Sequence, residues 1–66
     1  MSQISDNLLQ RLREEHAKTG KTTFDTAELS SYLENSQELS NALKELTKYK
    51  LIQPSKYVNC FDLLKP

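Results

Sequence analysis

Two helix-start signals stand ten residues apart in this chain, Asp25-Thr26-Ala27-Glu28 and Asn35-Ser36-Gln37-Glu38. Each sets a short polar side chain three positions ahead of a Glu. That is the spacing of a capping box, in which the first residue accepts from the backbone N–H of the fourth and the Glu reaches back. Apolar residues follow both at helical period, Leu29, Tyr32 and Leu33 after the first and Leu39, Ala42, Leu43 and Leu46 after the second. The first of these helices must end near Glu34 to let the second begin. It has about two turns, too few to persist without tertiary packing. The turn between them is correspondingly tight, so the two helices order together against a shared core or not at all.

The flanking sequence supplies that core. From about Ser5 to Thr19, Ile4, Leu8 and Leu12 recur every four residues with Leu9 beside them, which predicts an amphipathic helix. Gly20 suits the left-handed conformation that stops a helix, and Lys18 complements the negative end of its dipole. Lys21-Thr22-Thr23-Phe24 is β-branched and aromatic, a minimal strand if another strand pairs with it. After Lys50 the pattern becomes Leu51-Ile52-Gln53, turn chemistry at Pro54-Ser55-Lys56, then the run Tyr57 to Leu63, which together predict a short hairpin. The expectation is one domain over residues 1–66, mainly α with a small β-wing: three helices plus a two- or three-stranded antiparallel sheet. Leu8, Leu12, Leu29, Leu33, Leu39, Leu43, Leu46, Ile52 and Phe61 are expected to be buried. Tyr49 is expected to complete the core, Cys60 to be a small buried group, and Tyr57 to sit at the hairpin tip.

A chain of 66 residues has room for one lean core, and its staples are limited. One Cys excludes an internal disulfide, and Cys60 with His16 cannot fill the four positions of a structural zinc site. The single glycine, Gly20, leaves no Gly-rich phosphate loop, and His16 has no nucleophile or carboxylate at a catalytic spacing. Composition therefore argues against an enzyme and against any cofactor or metal. Apolar runs no longer than pairs such as Leu8-Leu9 predict a soluble, intracellular and cytoplasmic chain with no membrane partner.

The order helix, strand, helix, tight turn, helix, hairpin resembles that of a winged helix-turn-helix domain. Glu28-Leu29-Ser30-Ser31-Tyr32-Leu33 is similar to the second-helix pattern of that superfamily, and Leu39 to Ile52 looks like its recognition helix running into the first wing strand. Two departures stand out: Glu34-Asn35-Ser36 lacks the glycine usual in the turn, and the wing carries one cation, Lys56. The first half of the chain also looks like the domains that bind left-handed duplexes. Those present an Asn and a Tyr on the third helix and a Trp in the wing, where this chain has Ser40, Lys44 and no Trp.

The resemblance implies a sequence-specific DNA-binding transcriptional regulator, with the third helix in the major groove of double-stranded DNA and the wing on the backbone. Gln37, Ser40, Asn41 and Lys44 are residue types that reach base edges from such a helix. Lys48, Lys56 and Lys21 are the candidate phosphate contacts. Nine cations balance nine acids overall, yet residues 44–66 hold five of the cations (Lys44, Lys48, Lys50, Lys56, Lys65) against two acids (Glu45, Asp62). A neutral domain gains affinity by doubling its phosphate contacts, so a homodimer is expected, through the first helix or the tail at Leu63-Leu64. The alternative is a winged helix that binds a protein partner and no DNA, for which the acidic second helix and neutral balance argue.

Overall fold

The computed structural model describes residues 1–66. Three helices and three strands follow in the order α1 (Gln3–Thr19), β1 (Thr23–Asp25), α2 (Thr26–Tyr32), α3 (Ser36–Lys48), β2 (Ile52–Pro54) and β3 (Cys60–Leu63). The strands form one antiparallel sheet in the order β1-β3-β2. No helix is long and apolar enough to cross a membrane.

Local chemistry sets most of the boundaries. Asp25 accepts a hydrogen bond from the Glu28 amide at 2.8 Å, and Asn35 accepts one from the Glu38 amide at 2.9 Å. Only half of each capping box forms, because the Glu28 carboxylate pairs with Lys21 and Glu38 stays in solvent. Gly20 ends α1 at φ 76°, as expected. α1 starts earlier than the apolar period suggests, because Ser2 caps it and accepts from the Ser5 amide at 3.1 Å. α3 ends in a Schellman motif: the Leu51 amide donates to the Leu46 carbonyl and the Lys50 amide to that of Thr47, both at 3.0 Å. Lys50 takes the left-handed position, φ 59°, that glycine usually fills.

The sheet differs from expectation at the hairpin. Tyr57, Val58 and Asn59 belong to the turn and not to β3, despite their strand propensity. Asn59 adopts φ 58°, and the Ser55 amide closes the turn on the Cys60 carbonyl at 2.9 Å. Register pairs Phe24 with Phe61 and Phe61 with Pro54, and Ile52 with Leu63. These residues share the face turned to the helices, because residues opposed across a sheet lie on one side of it. Thr23, Asp62 and Gln53 share the other face, where the Thr23 hydroxyl donates to Asp62 at 2.8 Å.

The core consists of Leu8, Leu9, Leu12, Phe24, Leu29, Leu39, Ala42, Leu46, Ile52 and Leu63. Six of the nine residues expected inside are there; Leu33, Leu43 and Phe61 pack against the core from its margin and remain partly exposed. Phe24, Leu9 and Leu63 lie deeper than their sequence context suggests, since β1 pairs with β3 and turns Phe24 onto the helices. Burial of Leu63 leaves only Leu64 of the tail pair exposed as a contact surface. Tyr49 lies outside the core, more than half exposed, beyond the end of α3, and Cys60 is half-buried.

Candidate nucleic-acid interface

α3 presents its polar residues on the side away from the core. Successive residues of a helix turn by about 100°, which puts Ser40, Lys44, Gln37, Lys48 and Asn41 in that order across one outward arc. All five are exposed. The opposite side, at Leu39, Ala42 and Leu46, is buried against α1 and the sheet. Five of the seven candidate contact residues are thus gathered by one helix, held in place by its capped start and its Schellman end.

Within the arc, the Gln37 side-chain amide donates to the Asn41 side-chain carbonyl at 3.1 Å. The bond fixes one amide against the other and leaves the NH2 group of the exposed Asn41 without a partner in the fold. Lys44 and Lys48 have no carboxylate partner; Lys48 Nζ lies 5.9 Å from the centre of the Tyr49 ring. Neither cation is matched by an acid within the fold, which leaves both open to an anion outside the protein.

The two flanks of the arc differ. On the α1 side stands Glu38, and beside it Glu45, which accepts a hydrogen bond from the Ser2 amide at 2.8 Å. The Ser5 hydroxyl, then the Ser2 amide and hydroxyl, hold the Glu45 carboxyl below its usual range. Ser5 is the one buried polar residue, and the Ser2–Glu45 bond ties the start of α1 to the C-terminal half of α3. On the β3 side an open groove of about 480 Å³ runs between α3 and Phe61, lined by Ser40, Leu43, Lys44, Thr47 and Lys48. The Thr47 hydroxyl is spent on the Leu43 carbonyl at 2.7 Å. Neither the Ser2–Glu45 bond nor the groove is legible in the sequence, because each pairs residues far apart along the chain.

Lys56 and Lys21 stand apart from the helix. Lys56 lies in the exposed hairpin turn with its Nζ 5.3 Å from the Tyr57 ring centre, and Tyr57 and Val58 project there as well. Lys21 precedes β1 and pairs with Glu28 of α2, while its Nζ lies 5.6 Å from the Phe24 ring centre. The hydrogen bond that Lys21 Nζ donates to the Glu28 carboxylate raises the Lys21 pKa above its ordinary value. β1 does join the sheet as expected, but the Lys21 charge is already matched by Glu28, so its value as a phosphate contact is reduced. His16 ring Nδ1 lies 3.2 Å from the Lys21 carbonyl oxygen and serves the α1–β1 turn. Comparison with known proteins finds no family model, no curated protein and no solved structure that matches the chain.

Proposed function

We propose that this chain is a winged helix-turn-helix transcriptional regulator that binds double-stranded DNA in a sequence-specific manner. The observation that carries the reading is the outward arc of α3, where Gln37, Ser40, Asn41, Lys44 and Lys48 share one face on a helix fixed at both ends. The strand order β1-β3-β2, with α2 and α3 joined by three residues, is compatible with the winged arrangement. In this reading α3 enters the major groove, Asn41 and Lys44 meet base edges, and Gln37 and Ser40 support them. Lys48 and the hairpin's Lys56 hold phosphates, with Lys21 a lesser contributor. Two copies acting as a homodimer double the phosphate contacts of a chain with no net charge. A regulator of this kind works in the cytoplasm, needs no cofactor and performs no catalysis.

The test is an anisotropy titration with pooled random duplexes at two salt concentrations. Binding is expected to weaken steeply with salt. The triple reversal Lys44→Glu, Lys48→Glu and Lys56→Glu is expected to abolish it with an unchanged circular dichroism spectrum. Retained affinity in the folded triple variant assigns binding to another surface, and no enrichment of any duplex rejects the reading. A second reading, a protein-interaction module without DNA binding, is favoured by one specific observation: Glu38 places a negative charge at the start of α3, where a backbone phosphate would come.

A further inference from the structure

The groove between α3 and β3 sets half-exposed apolar side chains beside unpaired charge. Leu43 and Phe61 are its apolar lining, and the exposed Lys44 and Lys48 line it beside them. No carboxylate lines it, and neither lysine has an acidic partner elsewhere in the fold. A second shallow groove, at Ile4, Leu8, Tyr32 and Leu33, is mostly apolar but has no cation among its lining residues, so nothing there selects an occupant.

A duplex resting on α3 meets the outward arc first, and its phosphates and base edges are polar. It satisfies the lysines and leaves Leu43 and Phe61 uncovered. A thinner occupant with carbon on one side and carboxylates on its edges satisfies both. From Ser40 to Lys48 the groove follows α3 for eight residue steps, about 12 Å at the helical rise, which matches two turns of a second helix. Projection of Tyr57 and Val58 from a second copy into this groove is opposed by Lys56 beside them, which would face Lys44 and Lys48.

We infer that the α3–β3 groove docks an acidic amphipathic segment of a partner protein, its apolar residues on Leu43 and Phe61 and its carboxylates on Lys44 and Lys48. The mode is that of a helix laid into an apolar groove, with charge beside it setting the partner's sign. It uses the same two lysines as the proposed duplex contact, so the segment and DNA exclude one another on this face. The inference does not require that DNA binding be present.

The experiment is a display selection of random twelve-residue peptides on the immobilised full chain. The best enriched peptide is then synthesised and titrated into isotope-labelled protein. Enriched peptides are expected to carry two or three large apolar residues at helical spacing flanked by Asp or Glu. Amide shifts are expected to concentrate between Ser40 and Lys48 and at Phe61. Lys44→Glu with Lys48→Glu, both exposed, is expected to weaken the peptide by about tenfold with no change in melting temperature. Selection of basic peptides, selection of none, shifts centred elsewhere, or equal affinity in the double variant each overturns the inference. Parallel titration of a random duplex pool separates the two ideas. Peptide binding without duplex binding sinks only the DNA reading, and duplex binding without peptide binding sinks only this one.

Discussion

The two flanks of α3 began as equals in the sequence and ended differently. Toward α1, the Ser2 amide donates to Glu45, and Ala42 is buried beside it. Toward β3, Leu43 and Phe61 are only partly covered, and Lys44 and Lys48 have no carboxylate partner. One flank is closed by a neighbour that satisfies its polar groups, while the other faces a groove. Closure of a helix flank therefore depends on what packs against it, and a flank left open beside free charge is where a partner gains most.

The comparison breaks most visibly on truncation. Leu46 is fully buried in the last turn of α3, so Leu46→Ala is expected to cost roughly 2–5 kcal/mol, enough to unfold much of a domain this small. Leu43→Ala on the open flank is expected to cost only about 1–2 kcal/mol, since part of that side chain is already in water. Thermal melts of the two variants check the ranking, and equal losses would mean that the groove is closed in solution.

Next in size is the outward arc between the flanks. If Asn41 reads a base edge, Asn41→Ala should weaken the preferred site by about 1–3 kcal/mol and random duplex far less. Lys48→Ala should instead weaken both alike and lower the salt slope by about one unit, because one fewer counterion is released. Titrations of the two variants on both duplexes separate these patterns.

The smallest effect belongs to the closed flank. The Glu45 carboxyl is held below its ordinary range, so its contribution is present above that range and is lost as pH falls through the lowered value. Amide exchange in the first turn of α1, where the Asp6 amide donates to the Ser2 carbonyl, should accelerate on acidification through that window. In Glu45→Gln that pH dependence should disappear, whereas Glu38→Gln on the exposed first turn of α3 should leave it in place.

The helices were largely legible because their ends are written locally. Asp25, Asn35 and Gly20 each act within four residues of themselves, so the starts of α2 and α3 and the stop of α1 follow from chemistry at the position, whereas α2 ends at Tyr32, two residues short of Glu34, with Leu33 already extended. The early start of α1 was missed because Ser2 caps it with Ser5, and not Glu or Gln, at the third position. The length of β3 was overestimated because Tyr57 and Val58 have strand propensity, while the left-handed Asn59 and the closure of Ser55 on Cys60 place them in a turn. The candidate arc on α3 was visible from periodicity alone, since five polar residues at helical spacing must share a face.

What the sequence determined by itself is thus the set of helices, their amphipathic faces and the polar composition of α3, all of which depend on neighbours a turn or less away. Tertiary structure alone decided which charges stay free. Lys21 is matched by Glu28 and Glu45 is clasped by Ser2, while Lys44 and Lys48 remain unpaired beside Leu43 and Phe61. The reason is that an ion pair or a groove is made by residues that meet only when distant segments pack, and the packing is chosen by burial of the whole core rather than by any charge within it.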